Sequence, residues 1–411
     1  MPTNALTVAW ISDYPLEWIE PLPGALRNSP RQEAATWLPV LLEEFKSIPQ
    51  LRLHVIALRK TVAEDFSFER DGVVVHVLKV PAGTRSPSIF WVDTLLIKRC
   101  LRQIKPDLVH AWGSERGEAI IASRLGYPFL ATVQGLMTWY RQVVPLSWHQ
   151  HLAAWLEWLG LRRARVITAE SRFAVRYLRR LYPKLLVHQI EHAPKQIFHE
   201  VVRHPRLEPV QLVNVGTICW RKGSDLLLRA LNQLVDSFAF ELTTVGKPNP
   251  AMLANLKTQL KPSLWRRIHF TCNLTPNEIA SLLSSATLSI LPTRADTSPN
   301  AVKEAVVAGV PVVASRVGGI PDYVVPNQNG LLFPRGNLDE LIGTLKAAIH
   351  HPLFGRGAVD ASCLHKMKDY LSPRRMAQSF LRAYQAALHA WDRPLPDAAR
   401  SIANFALPPV P

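Results

Sequence analysis

Short apolar runs alternate with helix-forming segments along almost the whole chain, and the alternation starts over once. Leu6–Ile11, Leu51–Leu58, Val73–Val80, Asp107–His110, Phe129–Val133, Val166–Ala169 and Leu186–Ile190 read as strands. Helices are expected between them, over Arg31–Phe45 and Ile89–Ile104 among others. A second series opens with a strand at Val210–Val215, a helix at Asp225–Val235 and a strand at Phe238–Val245, and continues in pairs through Leu332. Runs that are apolar throughout, instead of every second residue, belong to strands covered on both faces. Such strands alternating with helices give doubly wound parallel sheets of the α/β class. At 411 residues the chain is too long for one hydrophobic core, so two domains are expected. The polar, Pro-punctuated HEVVRHPRLEP around Arg203 marks their junction, giving domains at 1–204 and 205–371. Ser372 and Pro373 open a last helix over 372–392, and the Pro- and Ala-rich residues 393–411 read as a mobile tail.

Composition narrows the partners. The formal net charge is +16, which asks for an anionic partner: nucleic acid, an anionic membrane surface or a phosphorylated substrate. No helix-turn-helix, zinc-finger or aromatic ribonucleoprotein pattern is present, so nucleic acid is not expected. The cysteines Cys100, Cys219, Cys272 and Cys363 are widely spaced and form no metal or redox motif. They read as reduced thiols of a cytoplasmic protein. No stretch reaches the roughly 18 uncharged apolar residues of a membrane span, and the first residues lack the plan of a signal peptide. No Asp-x-Asp at a strand end or His/Cys/Asp cluster has metal-ligand spacing, so no metal is expected.

The densest stretch is TRADTSPNAVKEAVVAGVPVVASRVGGIPD, from Thr293 to Asp322. It reads loop, helix, strand, loop. Ser298 is placed to cap a helix with Pro299 at its first position, and Gly309 with Pro311 stops it. Pro311–Ser315 is then a buried strand, and Gly318-Gly319 calls for backbone freedom or close approach to a ligand. Asp296 lies beside the helix mouth and Glu304 within its first turns. Between them the unpaired amides of Ser298, Asn300 and Ala301 form a site for an anion. In the earlier loop GTICWRKGSD, Gly216 and Gly223 permit tight turns, while Arg221 and Lys222 offer charge to a diphosphate. Parallel strands also end in His110 and in Gln134-Gly135, where open α/β sheets bind ligands.

The ordered run from Asp296 to Asp322 resembles the retaining GT-B glycosyltransferases with a Glu-x7-Glu signature, the group 1 type of glycosyltransferase family four. Asp296 stands in place of the first Glu, Glu304 at the second, and Ser298-Pro299-Asn300 and EAVVAGVPVVAS…GGIPD follow the pattern. The resemblance implies an α/β, GT-B fold: two Rossmann-like doubly wound domains facing a cleft. Residues 1–204 would be the acceptor side, 205–371 the nucleotide-sugar domain, and 372–392 a helix returning to the first domain. It implies a metal-independent hexosyltransferase moving a sugar, with retention, from a nucleotide-sugar to a glycan or lipid-linked acceptor, as in polysaccharide biosynthesis. No cofactor is implied beyond the donor. Asp296 would orient the sugar, Glu304 hold the ribose, and Lys222, matching the family's lysine, stabilise the leaving phosphate. Gly216, Thr217, Arg221, Ser298, Pro299, Asn300, Gly318 and Gly319 would contact the donor. His110, Gln134 and Gly135 would face the acceptor.

Several positions depart from that pattern. Thr217 replaces a frequent arginine, only Gly24 remains of a glycine pair, and IEHAPKQIF lacks an Asn-Gly. Gln134 stands where the family commonly has a histidine and cannot take a proton at neutral pH. A sugar-nucleotide epimerase of the same fold and a donor-binding protein without transfer activity therefore stay open as alternatives.

The basic charge is locally concentrated. Arg172, Arg176, Arg179 and Arg180 fall on one face of a helix, with Ala174, Leu178 and Leu181 expected to pack inward, and Arg162, Arg163 and Arg165 lie just before it. Trp148, Leu152, Trp155, Leu156 and Leu159 form a stripe on the preceding helix, with Trp158 off it. Either this is a solvated face or the first domain docks peripherally on the inner face of an anionic membrane to reach a lipid-linked acceptor.

Overall fold

The computed structural model describes residues 5–16, 22–27 and 37–392. The early part of the helix expected over 31–45 and the tail over 393–411 lie outside these residues. The described helix there is Trp37–Lys46.

Among the described residues, fourteen strands form two sheets. In the first, β1 (Leu6–Ile11), β2 (Leu51–Arg59), β3 (Phe66–Arg70), β4 (Val73–Lys79), β5 (Leu108–Trp112), β6 (Phe129–Val133), β7 (Val166–Ala169) and β8 (Leu186–Gln189) run in the order β3-β4-β2-β1-β5-β6-β7-β8. All neighbours are parallel except β3, which pairs antiparallel with β4 at the edge. The second contains β9 (Val210–Val215), β10 (Phe240–Val245), β11 (Ile268–Thr271), β12 (Leu288–Leu291), β13 (Val312–Ser315) and β14 (Gly330–Phe333), in the order β11-β10-β9-β12-β13-β14. Every pairing there is parallel. That order is the Rossmann arrangement, in which the chain first winds one way from β9 and then the other from β12. The strand order therefore reverses between β9 and β12, and in the first sheet between β1 and β5. Ligands of open α/β sheets bind at the carboxyl ends of the strands at such points.

The chain divides into two compact units. One holds residues 1–170, 174–191 and 373–411; the other holds 171–173 and 192–372. Arg203, expected at the junction, is inside the second unit, where its guanidinium donates to the carbonyls of Leu283, Ser284, Ala286 and Gly357. The final helix, Pro373–Ala390, belongs to the first unit and buries Met376, Phe380, Tyr384 and Leu388 there.

Its Tyr384 closes a polar chain through an otherwise apolar core. Trp10 Nε1 donates to the Tyr384 hydroxyl at 2.9 Å, which lies 2.9 Å from His110 Nδ1. His110 Nε2 is 2.7 Å from the Thr132 hydroxyl, itself 2.6 Å from that of Thr168. The indole can only donate, which makes the Tyr384 hydroxyl its acceptor, and the chain continues through His110 on β5 to the hydroxyls of Thr132 on β6 and Thr168 on β7. Each buried group is satisfied, which removes the penalty of several kcal/mol that an orphaned polar atom would carry.

A second histidine group lies toward the β3 edge. His54 on β2 has Nδ1 3.0 Å from His76 Nε2 on β4, whose Nδ1 is 2.8 Å from the Ser67 hydroxyl on β3. Burial, with His76 and Arg52 adding repulsion, pushes the His54 imidazole down to about 4 from its ordinary 6.5. Between those values the unfolded chain takes up a proton that the folded chain refuses, so the contribution of His54 to stability is full above 6.5 and is lost as pH drops toward 4. The urea midpoint of the wild type relative to that of His54→Gln should therefore fall as pH drops across that window. A difference that does not change with pH would show that folding withholds no proton from His54.

Candidate functional site

At the reversal point of the second sheet, the loops after β9 and β12 are locked to each other. Gly223 adopts φ +75° where a Cβ would lie 1.9 Å from the Pro292 carbonyl oxygen, so the two backbones touch. Arg294 grips the Asp225 carboxylate with both terminal nitrogens, at 2.7 and 2.9 Å, and its guanidinium lies 4.5 Å from the Trp220 ring centroid. Thr293 donates from its hydroxyl to the Arg221 carbonyl at 3.1 Å. These contacts set the two charged positions the sequence singled out. Lys222 Nζ donates to Asp296 Oδ2 at 2.5 Å, and the Arg221 guanidinium stands 4.0 Å from the same oxygen while donating to the Ala295 carbonyl at 2.9 Å. Asp296 is buried, so its charge depends on these cations. Gly216, at φ +146°, has nothing nearer its absent Cβ than the Lys222 side chain at 3.9 Å, which leaves room beside the ammonium. Thr217 is exposed next to it.

Gly318 and Gly319 meet the loop from the other side. At Gly318, φ is +56° and a Cβ would sit 1.7 Å from the Asp296 carbonyl oxygen; at Gly319 it would sit 2.4 Å from that of Thr297. The close approach expected of this glycine pair is therefore to the protein's own backbone, at the residue that carries the Asp296 carboxylate.

The helix spans Asn300–Val307, with Pro299 as its cap residue and no side chain capping it. Here the expectation for Ser298 is corrected: its hydroxyl is buried 2.8 Å from the Tyr323 hydroxyl and does not cap the helix. Tyr323 is itself fully buried, so its hydroxyl needs a partner and takes that of Ser298. The first amides of this helix are thus left for an acceptor from outside. Glu304 follows a turn later, partly accessible. Burial raises its carboxyl to about 7, against the pull of Lys303 and Lys195.

Sequence reasoning missed Lys195, which comes from the segment after β8 and carries no motif. It also missed the short stretch 171–173 of the second unit. Ser171 donates to the Thr297 carbonyl at 3.1 Å, and Arg172 holds Asp322 through its backbone amide at 2.7 Å and its Nε at 2.9 Å.

In the first unit, His110 is a further correction. It was expected to face the acceptor, but it is completely buried in the chain of hydrogen bonds described above. Gln134 and Gly135 do lie at the end of β6, partly accessible. The Gly135 amide donates to Glu115 Oε1 at 2.6 Å, and this carboxylate leads a group that the sequence did not announce. Glu118, buried, is raised to about 8 by burial, with Asp13 and Glu115 adding to it. Asp13 itself pairs with Arg116. Glu157, also buried, accepts from the Ser114 hydroxyl at 2.8 Å, the Met137 and Thr138 amides at 3.1 and 3.0 Å and the Thr138 hydroxyl at 2.8 Å, and burial raises it to about 7. It caps the helix Met137–Val143 from a neighbouring element. The only available signal was a run of charge straight after a buried strand. Among the described residues no three His, Cys, Asp or Glu side chains are placed so that they could hold a metal ion together.

Comparison with known proteins reaches both units. A family model described as "Glycosyl transferases group 1" matches residues 209–351, and one described as "Glycosyltransferase Family 4" matches residues 47–191. The sulfoquinovosyl transferase of Arabidopsis thaliana is 29% identical over 143 residues, which is 34% of this chain and 26% of that protein. The chain thus spans about a quarter of that curated relative's length. Among solved structures, the sucrose-phosphate synthase from Thermosynechococcus elongatus superposes with a TM-score of 0.76 at 16% identity, covering 94% of this chain and 100% of that one. Anabaena HepE in complex with UDP-glucose gives 0.67 at 15%, covering 93% and 100%. These likenesses show the fold, two Rossmann-like α/β domains of the GT-B type.

The glycine geometry makes one outcome specific. Gly318→Ala forces both a left-handed alanine and a clash with the Asp296 carbonyl, a cost of about 1–3 kcal/mol or more. The variant should lose a corresponding part of its denaturation midpoint and displace Asp296 from Lys222. A variant with unchanged stability would show that the loop relaxes freely and does not fix that carboxylate.

Proposed function

We propose that this chain, a glycosyltransferase of the group 1 and family 4 kind by the models that match its two units, transfers a sugar with retention from a nucleoside diphosphate sugar to a hydroxyl of a glycan or lipid-linked acceptor. The observation that carries the reading is the Lys222–Asp296 pair at the reversal point of the second sheet, beside an uncapped helix start. One carboxylate, Asp296, stands against the two cations Lys222 and Arg221 beside the helix amides, and that net positive balance is what a diphosphate requires. HepE, which shares the fold, is described in complex with UDP-glucose, and this supports a nucleotide-sugar as the donor.

In this reading the diphosphate lies against the Asn300 and Ala301 amides and the Lys222 ammonium, with Arg221 adding charge. Asp296 accepts hydrogen bonds from the sugar hydroxyls, and Glu304 from the ribose hydroxyls. As the bond from the anomeric carbon to the phosphate oxygen lengthens, Lys222 stabilises the charge developing on that oxygen. The acceptor oxygen bonds the anomeric carbon on the same face, and its proton passes to the departing phosphate oxygen. No protein base is needed on the acceptor side, which fits Gln134 at the end of β6. The cations at hand also make the diphosphate independent of an added metal.

Lys222→Ala and Glu304→Ala should each lower transfer by on the order of 10²-fold with the overall fold retained, Lys222→Ala also lowering the denaturation midpoint because it takes the nearest cation from buried Asp296. Near-normal turnover in both variants would sink the assignment. Excess chelator should leave activity in place; loss that magnesium or manganese restores would overturn metal independence.

Glu304 also gives a pH test. With its carboxyl raised to about 7, the acceptor form of the group is lost as pH falls through that value, so donor affinity should tighten from pH 6 to 8 and level off above. Glu304→Gln should flatten this profile. A wild-type affinity that does not change with pH would separate Glu304 from the donor.

A further inference from the structure

Away from the donor residues, three helices of the first unit enclose a cavity of about 480 Å³, in the range of roughly 300 to 1,000 Å³ of small-molecule sites. The helix Met137–Val143 contributes Thr138, Arg141 and Gln142; Trp148–Leu161 contributes Ala154, Trp155 and Trp158; Arg172–Leu181 contributes Tyr177 and Leu181. Its walls are mainly aromatic and aliphatic. Gln142 Nε2 donates to the Tyr177 hydroxyl at 3.0 Å and to the Thr138 carbonyl, so its donor end is engaged within the protein.

The surroundings are apolar and cationic together. Trp148 is 68% exposed, Trp155 44%, Leu181 39% and Leu186 48%. Leu181, expected to pack inward, thus opens to solvent at the cavity instead. Across residues 137–190 there are nine arginine and lysine side chains and two carboxylates, Glu157 and Glu170. All nine cations are exposed and both carboxylates are buried, so this stretch offers no surface anion of its own. Arg172 is occupied by Asp322, and Arg162 lies over the Trp158 ring at 4.4 Å, which keeps that indole in place at the cavity. Exposed tryptophans and leucines in one stretch with exposed arginines suit the interface of an anionic bilayer, where indoles sit at headgroup depth and each cation adds attraction.

We propose that this face docks the first unit on an anionic phospholipid leaflet and that the cavity receives one of its aliphatic chains. The proposal adds a lipid source to the acceptor in the function proposed above, but vesicle binding without donor tests it apart from transfer. The probe is full-length protein with phosphatidylcholine vesicles, with and without phosphatidylglycerol, at low and high salt. Binding is expected only with phosphatidylglycerol and should weaken in high salt. Each arginine near the leaflet contributes about a fivefold factor, so Arg163, Arg176 and Arg180 changed together to glutamine should lower partitioning by about a hundredfold. Phosphatidylglycerol brominated on its acyl chains should quench tryptophan emission, and Trp155→Phe with Trp158→Phe should remove most of that quenching. Leu181→Asp should do the same while leaving the arginines in place. Absence of binding at low salt, or binding unchanged in the triple glutamine variant, would overturn the docking. Docking with no quenching from Trp155 and Trp158 would overturn the cavity's part in it. Nucleotide-sugar affinity measured in the same variants should be unchanged, which keeps this result distinct from the fate of the donor site.

Discussion

The arrangement around Lys222 and Asp296 depends on backbone meeting backbone at two glycines. Gly223 rests on Pro292 and Gly318 on Asp296, each at a distance that excludes any side chain. Parallel strands set the loops after β9, β12 and β13 next to one another, but adjacency alone leaves loops free to drift. Contact between main chains removes that freedom. It is why Asp296 can be buried, meet Lys222 at 2.5 Å and still belong to a loop.

The two units handle buried acid differently. In the second, Asp296 has Lys222 and Arg221, and Glu304 has Lys195 and Lys303 on its side of the balance. In the first, Glu118 has Arg85 and Arg116 within reach but also the repulsion of Asp13 and Glu115, Glu157 relies on hydrogen bonds, and the two are pushed up to about 8 and about 7. Burial in low dielectric disfavours the charged form, and neighbouring acids reinforce it. Glu157 meets the same conditions with four hydrogen bonds and so serves as a cap. Glu118 is held close to neutral at ordinary pH, which lets three acids, Asp13, Glu115 and Glu118, collect at the ends of β1 and β5 without mutual expulsion.

What could be read from the sequence was what hydrophobic period and local chemistry determine. Buried parallel strands such as Val210–Val215 and Phe129–Val133 fell where the apolar runs placed them, because both faces must be apolar. The edge strand Phe66–Arg70 was not seen, since only alternate residues are even partly covered and its pairing partner is what makes it a strand. The same division holds in the site. Lys222, Asp296, Glu304 and the two glycines sit in segments whose turns and caps are local. His110 and Ser298 were misjudged because each was captured by a tyrosine far off in the chain, Tyr384 and Tyr323, and no local pattern reports such a partner. Lys195 and the Glu115 group were missed for the same reason.

The departures from the family pattern in the first unit therefore need not mark a decayed site. Gln134 replaces a histidine, but the loop it belongs to is not slack: the next amide, Gly135, is bound by Glu115 at 2.6 Å, and a Cβ at Gly135 would lie 2.4 Å from that carboxylate oxygen. Glu115 in turn sits on the loop after β5, next to Ser114, which is fixed by Glu157. Glu157 also holds the start of the helix that follows the Gln134 loop, so one carboxylate ties the ends of β5 and β6 together through side chains on both. A network with this many satisfied members is costly to assemble and is retained where position matters. It supplies rigidity by hydrogen bonding where the family pattern has an imidazole, and it presents a carboxamide, which can donate and accept but cannot shuttle a proton, at the strand end. In the reaction proposed above, such a group suits orienting an acceptor hydroxyl while the departing phosphate takes the proton.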